Sequence, residues 1–304
     1  VYYGDFLYPA CCNVKPAFES YLMNFGGHEN IYTYDQSRIV LLPVPYDETS
    51  TWIKGADKGP DAIFRASVNL EFYDIETGTE VHKKGIFTLD PVHEKRSPEA
   101  LTEAVRNKVK WLLSEQKFPV IVGGNHTVSI GAFYAFSENY RDLSILQLDA
   151  HSDLRNEYEG SALNHACVMA RAKEKAHIVQ VGIRSMSAEE AAGADWKNIF
   201  PAHKLIRDNS LYSEALSALK ENVYITIDLD VFDPSLMPST GTPEPGGPDY
   251  SDLMNFLRNV AASKNIVGFD VVELCPSEVN HTPDFVAAKV IYQLLSYIFS
   301  EEKK

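Results

Sequence analysis

A chain of 304 residues with 45% hydrophobic and 23% charged residues has an ordinary globular composition. That excludes a disordered, collagen-like or coiled-coil chain, and a chain of this length buries a core without disulfides or a structural metal. Lys and Arg number 28 against 42 Asp and Glu, a net charge of −14, which argues against a nucleic-acid partner and suits a small cationic substrate.

Residues 1–37 are polar and aromatic with weak periodicity, and are expected to form an N-terminal arm. A single catalytic domain is expected over residues 38–304, where no linker or internal repeat interrupts the pattern. Short apolar runs predict strands at Arg38 to Val44, Gly85 to Leu89, Phe118 to Val122 and Leu143 to Leu148. Four more are expected at Ala176 to Val181, Lys204 to Arg207, Asn222 to Ile227 and Asn265 to Phe269. Several are continuously apolar and β-branched, as a sheet covered on both faces requires.

Ser97 and Pro98 supply an N-cap and first helical residue for a helix ending near Gln116. Helical periodicity also marks Tyr212 to Glu221, Tyr250 to Ser263 and Asp284 to Ser300. Strand and helix alternate, so the expected fold is α/β, a three-layer α/β/α sandwich around a mostly parallel sheet. The four cysteines, Cys11, Cys12, Cys167 and Cys275, form no Cys-x-x-Cys pair. Neither a disulfide framework nor a thiolate zinc site is expected, and a cytoplasmic setting is. No run of 18 apolar residues occurs, so no membrane span is expected, and no secretory leader is expected either.

Chemistry in such a sheet sits at the carboxyl ends of its strands. Four expected strands end in polar clusters: Gly123-Gly124-Asn125-His126-Thr127, Asp149-Ala150-His151-Ser152-Asp153, Asp228-Leu229-Asp230, and Asp270-Val271-Val272-Glu273. Alternate side chains of an extended chain share a face, so Asp149, His151 and Asp153 are expected to converge, as are Asp228 and Asp230. So many carboxylates in one place repel one another unless a cation sits among them. With His126 there are six candidate ligands, more than one tetrahedral site needs. Mixed imidazole and oxygen donors without thiolate favour manganese, and two such ions point to hydrolysis. The Gly123-Gly124 pair, without a following Lys, is no phosphate loop.

These clusters resemble the signatures of the ureohydrolase family, the arginases, agmatinases and their relatives. Asp149-Ala150-His151-Ser152-Asp153 is similar to the family's Asp-Ala-His-x-Asp signature. Asp228 to Pro234, followed by Pro238 to Pro243, is similar to its long third signature. Gly55 to Arg65 resembles its N-terminal Gly-Pro segment. The resemblance implies one manganese ion on His126, Asp149, Asp153 and Asp228, and a second on Asp149, His151, Asp228 and Asp230. It also implies that Glu273 receives the guanidinium group, that His165 shuttles protons near the leaving amine, and that Asp153 passes a proton to the departing nitrogen. Thr242 and the Gly246-Gly247 turn are expected to shape the pocket.

The loop Leu154 to Asn164 resembles the Tyr-Glu-Gly loop of bacterial agmatinases. Glu157 and Glu159 would repel a carboxylated substrate if they face the pocket, which points to agmatine, giving putrescine and urea in polyamine biosynthesis. Arg155 instead suits a guanidino acid such as guanidinobutyrate, and arginine stays open as well. The family's first signature usually has an acid where Asn125 stands, so a non-catalytic relative with a weakened metal site is a second reading, and a single-zinc deacylase of related fold a third. By resemblance the chain is expected to form a homo-oligomer, a trimer or hexamer.

Overall fold

The computed structural model describes residues 24–300. Eight strands form one sheet: β1 Ile39–Val44, β2 Ile86–Thr88, β3 Phe118–Gly123, β4 Leu143–Leu148, β5 His177–Ile183, β6 Ile199–Pro201, β7 Asn222–Asp228 and β8 Asn265–Val272. Their order is β2-β1-β3-β8-β7-β4-β5-β6, and every pair is parallel. The helices are α1 Gly59–Ser67, α2 Pro98–Ser114, α3 Ser129–Asn139, α4 Val168–Ala172, α5 Ala188–Gly193, α6 Ala202–Leu205, α7 Ser210–Ala218, α8 Tyr250–Ser263 and α9 Thr282–Ser300.

The central strands are buried throughout, so alternate residues feed two separate cores. Val120, Val122, Leu146, Leu148, Ile225 and Ile227 join α1, α8 and α9 on one side. Ile121, Leu143, Ile145 and Tyr224 join α2, α3 and α4 on the other. This is the expected three-layer fold. Ser97 caps α2 through the Ala100 N–H at 3.2 Å, with Pro98 in its first turn, as the sequence indicates.

One expected strand is corrected. Lys204 to Arg207 is not extended, because Ala202–Leu205 is a helical turn that buries Ala202 and Leu205. The eighth strand lies just before it, at Ile199–Pro201. Pro201 reads as a breaker in sequence but is tolerated here because β6 is an edge strand.

Residues 1–23 of the expected arm, with Cys11 and Cys12, lie outside the described residues. The part that follows packs onto the domain. Phe25 is fully buried in the core, and Asn30 Nδ2 donates to the carbonyls of Phe25 and Ile86, both at 2.8 Å. No helix among the described residues is long and apolar enough to cross a membrane.

Candidate active site

β3, β8, β7 and β4 are neighbours in the sheet, and their carboxyl ends carry all four polar clusters. The chain leaves β3 through Gly124, where any side chain would collide with the Tyr46 carbonyl. That close approach turns the chain so that His126 points back over the strand ends. Its Nδ1 lies 3.3 Å from Asp149 Oδ2, 3.2 Å from Asp153 Oδ2 and 3.3 Å from Asp228 Oδ2. All four side chains are buried.

His151 and Asp230 form a second group with Asp149. His151 Nδ1 lies 2.9 Å from Asp230 Oδ2 and 3.7 Å from Asp149 Oδ1. The six expected ligands therefore come together, but not as an extended chain would place them. The strand stops at Leu148, and Asp153 adopts φ +53°, a left-handed conformation that costs a non-glycine residue about 1–3 kcal/mol. The turn sends Asp153 back to His126 beside Asp149, while His151 goes to Asp230. The donor atoms of His126, Asp149 and Asp153, and of Asp149, His151 and Asp230, are close enough for each group to hold a metal ion.

The tautomer of His126 fits such an ion. Asp270, buried within β8, accepts hydrogen bonds from Tyr224 Oη at 2.7 Å and from Thr226 Oγ1 at 2.6 Å. With its one proton given to Asp270, the Thr226 hydroxyl accepts from His126 Nε2 at 2.9 Å. Nδ1 then keeps a lone pair, has no hydrogen-bond partner, and faces three carboxylate oxygens. That arrangement is repulsive unless a cation or a proton lies between them. In the cation-free protein a proton serves. Burial opposes it, but Asp149, Asp153 and Asp228 raise the imidazole well above its usual pKa. Burial likewise pushes Asp228 far above the carboxylate range, and burial with the charge of Asp149 pushes Asp153 up to about 7.

Sequence reasoning did not assign Thr226 or Asp270 a role. Their signal was present: a charged residue inside the apolar strand Asn265–Val272, and a hydroxyl two residues before Asp228. The oxygen of Asn125 does not orient the imidazole. It accepts from Thr49 Oγ1 at 2.7 Å and from the Thr127 N–H at 3.1 Å, while Nδ2 donates to Ser50 Oγ at 2.8 Å. Asn125 thus ties the 49–50 loop to the rim, and Thr226 does the orienting. Arg184, also unassigned from sequence, donates to the carbonyls of Gly182, Asp230, Val231, Phe232 and Glu244 and clamps the loop after β7.

A cavity of about 280 Å³ opens over these groups, lined among others by His126, Asp153, His165, Asp228, Thr242 and Glu273. Glu273 accepts the His126 N–H on Oε1 at 2.6 Å, and its own N–H donates to the Gly124 carbonyl at 2.7 Å. Oε2 is left on the side of Gly241. Burial pushes this carboxyl up to about 8. His165 packs edge-on against Tyr158, with ring centroids 5.9 Å apart, and burial lowers it to about 4. Gly246 and Gly247 do not line the cavity; the Gly246 N–H binds Asp233 Oδ2 at 2.8 Å, which folds the turn.

The loop argument for the substrate is corrected as well. Glu157 and Glu159 are exposed and do not line the cavity, so they repel nothing in it. Arg155 does line it, but its guanidinium lies over the Tyr158 ring at 5.0 Å and its Nε is 3.7 Å from Glu190 Oε2. Its charge is already matched within the protein.

Residues 37–296 match the arginase family. The chain is 35% identical to an N(1)-aminopropylagmatine ureohydrolase of Synechocystis sp. over 94% of its own length and 97% of that protein. It is 38% identical to an N(1)-aminopropylagmatine ureohydrolase of Thermus thermophilus, covering 86% and 90%. The crystal structure of the agmatine ureohydrolase of Thermoplasma volcanium is similar to it with a TM-score of 0.84 and 30% identity, over 91% of this chain and 94% of that one. The chain belongs to the arginase family and is a ureohydrolase, a hydrolase acting on the C–N bonds of guanidino compounds.

Proposed function

We propose that this enzyme hydrolyses agmatine to putrescine and urea with two manganese ions. The observation that carries the guanidino chemistry is the pair of donor groups sharing Asp149, with the free oxygen of Glu273 beside them, and the likeness to the Thermoplasma volcanium agmatine ureohydrolase supports agmatine. One ion would be held by His126, Asp149, Asp153 and Asp228, and the other by Asp149, His151, Asp228 and Asp230. Carboxylate and imidazole donors without thiolate support manganese. Bound there, the ions supply the Lewis-acid chemistry that makes water a nucleophile at neutral pH.

The protein's own groups do the rest. Glu273 is fixed through Oε1 by the His126 N–H and offers Oε2 to the guanidinium, whose charge favours the ionised carboxylate. The oxygen of water adds to the guanidinium carbon, and the bond from that carbon to the alkyl nitrogen breaks. Asp153 takes the proton of the attacking water and returns it to the leaving amine. His165, neutral at pH 7 because of its burial, relays a proton at the same nitrogen. By the family resemblance, the working unit is a symmetric trimer or hexamer.

N(1)-aminopropylagmatine is the second reading. The names of the Synechocystis and Thermus relatives favour it, as does the lip of the cavity, where Trp52 and Ile53 are exposed and could cover a longer alkyl chain. Urea release by manganese-loaded enzyme tests both, with agmatine, N(1)-aminopropylagmatine, arginine, guanidinobutyrate and guanidine compared at equal concentration. Preference for either amine supports a guanidinoalkylamine site and chooses between the two. Preference for arginine or guanidinobutyrate overturns the substrate class.

A further inference from the structure

Asp153 holds an unfavourable backbone conformation, and the residues around it show what maintains it. Its carbonyl accepts the N–H groups of Met169 and Ala170 at the start of α4, at 3.0 and 3.1 Å. On either side of it, Ser152 Oγ and the Leu154 N–H both donate to one oxygen of Glu190, at 2.7 and 3.0 Å. The other oxygen of Glu190 accepts the Ser187 N–H at 2.7 Å, while the Ser187 side chain caps α5. Glu190 is 8% exposed, so none of these bonds is readily replaced by water. Its carboxylate spans two segments, the turn after β4 and the start of α5.

We infer that Glu190 is a positioning residue that holds Asp153 against His126 by bracing the backbone on both sides of it. The inference rests on the reading of Asp153 as a cation ligand. Without the brace, two buried donors lose their acceptor, and the left-handed turn relaxes towards ordinary φ. That swings the Asp153 carboxylate away from His126. Asp149 and His151 lie in the turn after β4, ahead of the braced residues, and Asp230 lies in the turn after β7; none of the three makes a bond to Glu190. Its cation affinity should therefore be spared.

The test uses the full chain, stripped with a chelator and titrated with manganese chloride while free manganese is followed by electron paramagnetic resonance. Wild type is expected to take up two ions. Glu190→Ala is expected to weaken one site about 10–100-fold and leave the other unchanged. Glu190→Gln keeps an oxygen for Ser152 and Leu154 but loses the acceptor for the Ser187 N–H, and should restore part of the loss. If the alanine variant does not fold, Glu190→Asp serves, since it keeps the charge but draws the carboxylate back by one methylene. Two sites of wild-type affinity in the alanine or aspartate variant overturn the inference, and so does equal weakening of both sites, the mark of general destabilisation. A wild-type protein that takes up no manganese overturns the reading of the site itself.

Discussion

Thr226 Oγ1 lies 2.9 Å from His126 Nε2, although the two residues are 100 positions apart in sequence. The hydroxyl hands its own proton to Asp270 and so determines which imidazole nitrogen faces the carboxylates. Thr226→Val removes this partner at nearly constant volume. It should cost about 1–3 kcal/mol of stability and weaken manganese binding about 10–100-fold. Thr226→Ser should behave like wild type. Thermal melts and manganese titration of the three proteins check this, and a valine variant with wild-type affinity would sink the role.

Protons and cations compete for the same groups, so stability should depend on pH differently with and without metal. In the cation-free protein, Asp153 sits at about 7 and Glu273 at about 8, both raised by burial. A carboxyl raised above its unfolded value, near 4, contributes stability that is full below that value and is lost as pH climbs through the folded one. His126 is raised too and contributes in the same direction. The chelated protein should therefore lose stability between pH 5 and pH 8. The loaded protein, with its carboxylates paired to cations, should not follow it. The difference in Tm should widen across this window, and a gap that stays constant or narrows contradicts the account.

Glu273→Gln keeps the shape of the side chain and can still accept the His126 N–H, but offers no charge to a guanidinium. Breaking a buried charge pair of this kind costs about 2–5 kcal/mol, or roughly 30- to 5,000-fold in kcat/KM. Manganese stoichiometry should stay at the wild-type value, since Glu273 belongs to neither donor group. Kinetics and metal content measured on the same preparation separate loss of substrate recognition from loss of metal.

Asn125 binds the 49–50 loop and makes no hydrogen bond to the His126 ring. Asn125→Asp should therefore change manganese affinity less than the valine substitution at Thr226 does. It keeps the oxygen used by Thr49 and Thr127 and loses only the donor to Ser50, a change of about 1 kcal/mol in stability. An aspartate variant with much tighter manganese binding than wild type would restore the idea of a weakened site.

Much of this fold was legible because it rests on local patterns. Seven of the eight expected strands lie where apolar runs placed them, and Tyr250–Ser263 has the helical bounds its periodicity implies. The exception, Lys204 to Arg207, shows the limit of short patterns, since two apolar residues, Leu205 and Ile206, between two basic ones suit a turn of helix as well as a strand. The site residues were legible for another reason. So many carboxylates at strand ends serve poorly as structure, and the chemistry that tolerates them is narrow. Glu157 and Glu159 carry the same charge but no such constraint, and they point to solvent.

By itself the sequence determined the parallel α/β architecture and pointed to six candidate donors, because strand periodicity and the chemistry of clustered acids are local properties of the chain. Tertiary structure decided which donors meet. The order β3-β8-β7-β4 brings four distant strand ends side by side, and the left-handed turn at Asp153 parts Asp153 from His151. It also decided the tautomer of His126, through Thr226 and Asp270 on the neighbouring strands β7 and β8, and it turned Glu190 onto the backbone beside Asp153. These are contacts between residues tens of positions apart, created only when packing closes the sheet.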